Sequence, residues 1–394
     1  MTNFDFETVV ERRGTSCCKW DDAPNLFGGA DVLPMWVADM DFRAPPVVLE
    51  ALRAQVEHGI YGYPAASDEG ARSAVAGWLE RRHGWRVPVE WIVLAPGVVS
   101  SLYAALEAFT QPGDEILVQT PVYHPFLDIA RARGRKLSEN KLVEVDGIWR
   151  MDLDDFAEKA ETAEIFVLCS PHNPVGRSWS RAELEAVAEI CARTGTMLLV
   201  DEIHADLVFS PRGHHPFASL ERLAPDRIAT FVAPSKTFNL AGLNLSAVVI
   251  PDEIHRRAFL AEYRNRGISR TNAPGLVAME AAYDHGEPWL DALMELLAEN
   301  ASRMAQVAHD RWSGVAVHPP EATYLAWLDC RGLGLSESEL VRFFNQEARV
   351  GLNRGGMFGT PGKGWMRLNF GTPRAILDVG LERISTALEA FAKR

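Results

Sequence analysis

Side chains capable of chemistry follow five successive apolar runs of the sequence. Each run has the length and composition of a buried strand and is followed by a turn. In chain order, the residues after these runs include Gly97, Tyr123, Asn173, Asp201 and Lys236. Ligands of open α/β sheets bind beyond the carboxyl ends of the strands. We therefore expect the five residues to surround one site.

These residue types suit the chemistry of pyridoxal phosphate. A lysine such as Lys236 can form a Schiff base with it, and a carboxylate such as Asp201 can keep its pyridine nitrogen protonated, so that the ring withdraws electrons. The glycine turn leads into a predicted helix, whose first amides, those of Val98 and Val99, favour a phosphate. Tyr123 can stack on the ring. Ordinary structural roles stay open for each of them, as a surface lysine, a helix cap or a core aromatic.

Longer motifs give the sequence a family resemblance. Three of them resemble fold type I pyridoxal-phosphate enzymes of the class I/II aminotransferase-like superfamily: SPHNPVG at 170–176, DEIHAD at 201–206 and PSKTFNLAGL at 234–243. Three others are similar to its bacterial C–S lyase subgroup, the cystathionine β-lyase-like and cysteine desulfhydrase-like enzymes: MWVADMDF at 35–42, YGYP at 61–64 and PEATYLAWLDCR at 320–331. The resemblance covers nearly the whole chain and implies pyridoxal 5'-phosphate as the cofactor.

The resemblance implies roles around this cofactor. Lys236 is the expected catalytic, Schiff-base lysine, Asp201 the partner of the pyridinium nitrogen, and Asn173 a hydrogen-bond partner of the ring hydroxyl. His204 stands where related aminotransferases often carry a tyrosine that bonds the same ring oxygen, with a core histidine as the alternative. Tyr123 is expected to stack on the ring.

The resemblance also implies contacts to the substrate and to a second subunit. Arg367 lies in an otherwise apolar strand, where a charge is costly without a partner, and is expected to clamp the substrate carboxylate. Asn173 and Ala38 are further expected substrate contacts, and Trp36 shares with Ala38 a segment that closes over the substrate in this family. Tyr61 is expected to reach the phosphate bound by the neighbouring subunit, which requires a homodimer with composite sites.

Two positions depart from the general aminotransferase pattern. Many relatives carry a serine three positions before the lysine and an arginine eight positions after it, where this sequence has Ala233 and Asn244. Loss of the arginine weakens the charge pairing with a phosphate. Ser235 and the amides of Val98 and Val99 are expected to compensate, together with the tyrosine of the partner. Such departures fit the C–S lyase subgroup better than the main aminotransferases.

A scaffold of alternating strands and helices must position these residues. Helical periodicity at 46–58, 68–83, 98–110 and 181–193 alternates with apolar runs at 91–95, 115–119, 164–169, 196–200, 228–233 and 245–250. This pattern predicts an α/β fold with a mostly parallel sheet covered by helices on both faces. After these elements the regular alternation of strands and helices ends. A smaller α+β domain is predicted there, with helices at 287–312, 336–347 and 375–392 and strands at 324–328 and 365–370. We expect residues 46–285 to form the large cofactor-binding domain, 286–394 the small domain, and 1–45 a segment packed with the small domain.

Composition and the remaining motifs exclude several classes of function. The 394 residues carry a net charge of −13, which argues against nucleic acid and anionic membranes as partners. The five cysteines form no C-x-x-C pair, and no secretory or membrane-spanning pattern is present, which predicts a cytoplasmic protein. His214 and His215 suggest a solvated loop rather than a metal site. The segment 355–364 lacks the spacing of a P-loop and is interpreted as a mobile loop near the substrate.

The sequence therefore predicts β-elimination from cystathionine or a related cysteine S-conjugate, which gives a thiol, pyruvate and ammonia. An aminotransferase of the same fold is the alternative, because both reactions begin with loss of the Cα proton. A non-catalytic binding protein on the same scaffold is a third hypothesis, and the presence of both Lys236 and Asp201 argues against it.

Overall fold

The strands and helices follow the apolar pattern of the sequence. The computed structural model of the chain describes residues 4–65, 68–220, 222–268 and 271–394. The strands are β1 (Leu33–Pro34), β2 (Ile92–Ala95), β3 (Glu115–Thr120), β4 (Lys136–Lys141), β5 (Val143–Val145), β6 (Ile148–Arg150), β7 (Ala163–Cys169), β8 (Met197–Asp201), β9 (Ile228–Val232), β10 (Ser246–Val249), β11 (Ala316–Val317), β12 (Leu325–Asp329), β13 (Val350–Gly351), β14 (Asn353–Arg354) and β15 (Trp365–Asn369). The α-helices are α1 (Cys18–Asp21), α2 (Ala23–Phe27), α3 (Pro46–His58), α4 (Glu69–His83), α5 (Val98–Phe109), α6 (Pro125–Arg131), α7 (Leu153–Ala160), α8 (Arg181–Thr194), α9 (Pro234–Thr237), α10 (Glu253–Asn265), α11 (Ala273–His285), α12 (Glu287–Arg311), α13 (Glu337–Arg342) and α14 (Arg374–Phe391).

Seven strands form the central sheet, in the spatial order β2-β10-β9-β8-β7-β3-β4. β9, β8, β7, β3 and β4 run parallel to one another. β10 is antiparallel to both of its neighbours, so that β2 again runs in the direction of β9. The predicted mostly parallel sheet is confirmed, and the run at 245–250 is its antiparallel member. Because β10 is reversed, its first residues lie at the edge where the other strands of the sheet end.

Helices cover both faces of this sheet, which explains why its inner strands are apolar throughout. Successive residues of a strand point to opposite faces. Phe166 of β7 packs in one apolar cluster with Leu184 of α8. The next residue, Val167, packs in another with Leu102 of α5 and Phe259 of α10.

A second, antiparallel sheet in the order β11-β12-β15-β14 packs against α12 and α14. Leu368 of β15, Leu293 of α12 and Leu381 of α14 share one apolar cluster. The N-terminal segment joins this part of the molecule, because β1 pairs with β13 in the register Leu33 to Val350. The predicted smaller α+β unit, built from both ends of the chain, is therefore confirmed, whereas its boundaries at 45 and 285 stay a prediction.

Most of these elements lie where the apolar and helical patterns predict them, and some carry no such pattern. The strands predicted for the central sheet are present with ends that differ by at most one residue. β4 was not predicted, because its sequence KLSENK has no apolar run. α6, α10 and α11 were not predicted either. Within the described residues, no helix combines the length and the apolar character needed to cross a membrane.

Candidate active site

A cavity of about 130 Å³ lies at the carboxyl edge of the central sheet. Its wall contains most of the predicted site residues, namely Ala38, Val98, Val99, Tyr123, Asn173, Asp201, His204, Ser235 and Lys236. It is completed by Gly97, Cys169, Ile203, Ala233, Ala241, Asn244 and Leu245. Arg367 and Tyr61 do not form part of this wall. The parallel strands thus bring the predicted residues together, since their carboxyl ends meet at one edge.

Lys236 sits in the short helix α9, directly after β9. Its Nζ donates a hydrogen bond to the carbonyl oxygen of Ala38 at 2.7 Å. Removal from water lowers the pKa of Lys236 to about 8, because burial disfavours the charged amine. An amine with this pKa is available in its neutral form near neutral pH, as a nucleophile or a base must be.

Asp201 is the last residue of β8 and is only 4% exposed. One carboxylate oxygen accepts a hydrogen bond from the amide of Ile203 at 3.0 Å. Burial nevertheless raises the pKa of Asp201 to about 7. A cation placed against this carboxyl would favour its ionised form, so the floor of the cavity fits a positively charged ring nitrogen.

Asn173 and His204 stand beside the same cavity. Asn173 follows β7 in a turn in which the amide of His172 donates to the Arg177 carbonyl at 2.8 Å. The Nδ1 atom of His204 is buried and has no hydrogen-bond partner among the described residues. Burial lowers the pKa of His204 to about 3, so the ring is neutral and can donate or accept one hydrogen bond. Tyr123 completes this wall.

Arg367 lies on β15 behind Asn173 and is 4% exposed. Its guanidinium donates to the side-chain oxygen of Asn173 at 3.0 Å, to that of Asn353 at 2.9 Å and to the Trp36 carbonyl at 2.9 Å. It also lies over the ring of Phe358, at 4.9 Å. No carboxylate in the described part of the chain pairs with Arg367, and its Nε has no partner there. A buried cation held only by neutral groups is suited to an incoming carboxylate.

The N-terminus of α5 supplies the anion-binding end of the cavity. Gly97 precedes the helix at φ 113°, a backbone conformation that favours glycine. The first amides of a helix have no partner within it, so those of Val98 and Val99 can bind an anion. Ser235 and Asn244 lie on the same wall. Asn244 comes just before β10, the strand that runs antiparallel to its neighbours. Together with the carboxyl and imidazole groups, this arrangement can hold a planar ligand with an anionic arm.

Comparison with known proteins agrees with this geometry. The sequence model of the family described as "Aminotransferase class I and II" matches residues 30–384. The chain belongs to the class I and II aminotransferase family. Cystathionine beta-lyase PatB of Bacillus subtilis is 44% identical over 386 residues, which are 98% of this chain and 100% of that protein.

Two solved structures resemble this aminotransferase-family chain over nearly its whole length. Cystalysin from Treponema denticola, whose crystal structure contains a pyridoxal 5'-phosphate cofactor, matches with a TM-score of 0.94 and 32% identity. That match covers 98% of this chain and 99% of cystalysin. The PLP-bound C-S lyase from Staphylococcus hominis matches with a TM-score of 0.91 and 30% identity, covering 98% of each chain.

Tyr61 of this family member does not line its own cavity. Its side chain is 60% exposed, in the connection that follows α3. Tyr63 beside it is 92% exposed. The expected contact of Tyr61 with a neighbouring subunit stays a prediction.

One interpretation of the sequence is corrected. The His214 side chain is not solvated; it is 2% exposed, its Nε2 lies 3.3 Å from a Glu202 oxygen, and its ring packs edge-on against His83. The segment 355–364 contains two 3-10 turns, in which Phe358 is fully buried beneath Arg367, while Thr360 and Lys363 are exposed. Its predicted mobility stays a prediction.

Several site neighbours were missed in this aminotransferase-family sequence. Tyr324 donates to the Ala38 carbonyl at 2.9 Å, beside Lys236. Asn353 holds Arg367, as described above. Thr237 donates to Asp206 at 2.6 Å, and so ties the lysine turn to a buried carboxylate. Tyr324 and Asp206 lie inside motifs that the sequence reading singled out, but their partners are distant in sequence and gave no local signal.

Proposed function

We propose that this chain is a pyridoxal-phosphate-dependent carbon–sulfur β-lyase. It would cleave cystathionine or a related cysteine S-conjugate to a thiol, pyruvate and ammonia. The observation that carries the proposal is the convergence of an amine and a buried carboxyl, from Lys236 and Asp201, in one cavity. The buried guanidinium of Arg367 bonds to Asn173 of the cavity wall and has no carboxylate partner among the described residues. The 44% identity over the whole of a cystathionine beta-lyase supports the lyase reaction.

The residues present fit pyridoxal 5'-phosphate. Lys236 Nζ would hold it covalently, and the α5 amides of Val98 and Val99 would bind its phosphate. The unpartnered Nδ1 of His204 and the side chain of Asn173 would bond its ring oxygen, while Tyr123 would stack on the ring. When bound, the cofactor supplies an electron sink for the charge left on the substrate Cα as its proton departs.

Side chains and a backbone carbonyl of this chain would bind the substrate, move its proton and orient the amine. The guanidinium of Arg367 would bind the substrate α-carboxylate, since it is buried and has no anionic partner among the described residues. Lys236 would accept the Cα proton at Nζ, a role for which burial has lowered its pKa to about 8. The carboxylate of Asp201 would keep the ring nitrogen charged. Ala38 would orient the amine through its carbonyl oxygen, 2.7 Å from Nζ.

A homodimer with composite sites and a cytoplasmic location complete the proposal. Exposed Tyr61 supports the first, because the residue is available to a partner and does not line its own cavity. The second rests on the cysteines, all five of which are free, including the buried Cys169 and Cys330.

Purified enzyme supplied with the cofactor and with cystathionine, cysteine or an S-alkyl cysteine tests the function. Thiol, pyruvate and keto acid are assayed separately, with and without an added keto acid acceptor. We expect pyruvate and thiol in equal amounts without an acceptor. Turnover that strictly requires an acceptor and releases no thiol would identify an aminotransferase instead.

A further inference from the structure

The segment of residues 36–42, here called the strap, crosses the cavity without forming a helix or a strand. Most of its backbone hydrogen bonds are made with side chains of other elements, and the Asp41 amide donates to the Gly371 carbonyl at 3.0 Å. Its carbonyl oxygens accept hydrogen bonds at Trp36 from Arg367, at Val37 from Asn369, at Ala38 from Lys236 and Tyr324, at Asp39 from Asn369 and Lys19, at Met40 from Asn239 and Arg12, and at Phe42 from Asn239. The position of such an irregular segment therefore depends on these side chains.

Asn239 makes the most complete of these contacts. Its side-chain oxygen accepts from the Met40 amide at 3.0 Å, and its Nδ2 donates to the Met40 carbonyl at 2.9 Å and to the Phe42 carbonyl at 2.8 Å. The side chain thus pairs with Met40 through both backbone groups, as a neighbouring strand would. Its backbone φ is 57°, in the left-handed region that asparagine tolerates better than most residues.

The position of Asn239 gives these bonds a consequence for the chemistry. It lies three residues after Lys236, on the same turn, and the amide of Leu240 closes that turn on the Ser235 carbonyl at 3.0 Å. Asn369 and Arg367 attach the strap to β15, on the other side of the cavity. Asn239 therefore fixes the strap relative to the lysine, whereas the β15 side chains fix it relative to the carboxylate-binding arginine.

We propose that Asn239 is a positioning residue, which locks the strap to the lysine turn and so keeps the Ala38 carbonyl within hydrogen-bonding distance of Lys236 Nζ. A carbonyl acceptor at 2.7 Å fixes the direction of one N–H bond of the amine. The lone pair and the remaining proton are thereby oriented as well. Misplacement of a reacting group by about 1 Å can lower a rate by about a hundredfold.

The test compares Asn239→Gly, Asn239→Ala and a matched control, Asn140→Ala. Glycine removes the side chain without strain at the positive φ, so it decides the question if the alanine variant folds poorly. Asn140 is buried and also makes three hydrogen bonds through its side chain, to Gln119, Asp152 and Asp155, at the far edge of the sheet. Its loss lowers stability without touching the strap.

Hydrogen exchange of the cofactor-loaded enzyme, read by mass spectrometry on peptides covering 36–42, reports the strap directly. We expect exchange there to accelerate at least about tenfold in Asn239→Gly and to stay at the wild-type rate in Asn140→Ala. We also expect kcat to fall by about tenfold to a hundredfold in Asn239→Gly, with KM changed by less than about threefold, because Arg367 remains in place.

Three outcomes would overturn the proposal: unchanged strap exchange in Asn239→Gly, equal acceleration in Asn140→Ala, or accelerated exchange with wild-type kcat. The assignment of Asn239 rests on the proposed function only in one respect, namely the substrate with which kcat is measured. If the wild-type enzyme cleaves no C–S bond, kcat is measured with an amino acid and keto acid pair. Failure of the lyase assignment is therefore distinguishable from failure of the Asn239 assignment.

Discussion

At the scale of single residues, the site is built from charges that the fold alone does not neutralise. Lys236 donates to a neutral carbonyl, and Arg367 to neutral oxygens, while the burial of Asp201 raises its pKa to about 7. Burying such groups without counter-charges costs stability. Their grouping in and beside one cavity indicates that bound ligands supply the missing charges.

Lys236→Ala is expected to abolish turnover while the fold persists. The variant has no amine to hold the cofactor or to accept the Cα proton, whereas the α5 N-terminus and the Asp201 carboxyl are untouched. Thiol release measures the activity, and mass spectrometry after borohydride reduction should find no covalent cofactor adduct. Lys159→Ala, at a surface pair with Asp155, is the control and should keep its activity. Near-normal turnover of Lys236→Ala would contradict the assignment.

Asp201→Asn should lower turnover far more than it lowers cofactor affinity. An amide cannot hold the ring nitrogen protonated, but the contacts to the phosphate remain. Turnover is measured at saturating cofactor, and the dissociation constant of the cofactor is measured separately. Activity within about threefold of wild type, a barrier change under about 1 kcal/mol, would show that the carboxylate does not have this role.

The same substitution should stabilise the cofactor-free protein in a pH-dependent way. The Asp201 carboxyl has a pKa of about 7 when folded and an ordinary value of 3.8. Between those values the folded chain binds a proton that the unfolded chain has lost, so wild-type stability falls as the pH rises. Asparagine does not titrate. Urea unfolding should therefore give no gain for Asp201→Asn below about pH 4 and a gain of a few kcal/mol above about pH 7. A constant difference across this range would refute the raised pKa.

At the scale of elements, the lysine turn depends on its neighbours for its position. α9 has 4 residues, too few to be stable alone. Asp206 anchors it by accepting from Thr237, and it also accepts from Trp78 at 3.0 Å and from His83 at 2.7 Å, both on α4. Although burial opposes it, the hydrogen bond and charge of His83 lower the pKa of Asp206, which favours the carboxylate.

Thr237→Val should weaken this anchor, while Thr237→Ser should keep it. Valine has nearly the same shape as threonine but leaves one oxygen of Asp206 without its donor. We expect a loss of about 1–3 kcal/mol in the free energy of unfolding and a lower kcat, both restored in the serine variant. Urea unfolding and thiol release measure the two effects. If the valine and serine variants have the same stability and the same kcat, the hydroxyl of Thr237 does not anchor the lysine turn.

At the scale of the whole molecule, an exposed apolar strip runs from the last turn of α3 into the connection after it. Val56 is 66% exposed and Ile60 72% exposed, next to the exposed rings of Tyr61 and Tyr63. Scattered apolar residues are ordinary on a surface, but four within eight positions suit burial against another chain. This strip supports the proposed homodimer, in which Tyr61 would serve the partner's site.

Mixing Tyr61→Phe with Lys236→Ala tests this assembly, after each variant alone is confirmed to be strongly impaired. Subunit exchange puts both lesions in one composite site and leaves the other intact. Random pairing should therefore restore up to about a quarter of wild-type activity. Native mass spectrometry confirms the exchange. No recovery despite proven exchange would mean that Tyr61 does not act across the interface.

The sequence by itself determined the fold and which residues form most of the cavity wall, whereas their roles stay predictions. Apolar runs alternating with amphipathic helices require a sheet buried on both faces, and parallel strands end at one edge. Asp201 ends β8, and Asn173 and Lys236 lie in the turns that come after β7 and β9, so their convergence follows from the strand direction. The order of residue types along that edge then indicated the cofactor.

Only the tertiary structure decided which groups surround those residues. The Ala38 carbonyl meets Tyr324, which is 286 positions away, and Met40 meets Asn239 across 199 positions. Neither contact leaves a periodicity or a spacing in the sequence, because each depends on how separate elements pack. The burial of the His214 side chain and of Phe358 has the same origin. Local sequence patterns indicate which face of a helix or strand is buried. Long-range packing decides which residues of other elements contact that face.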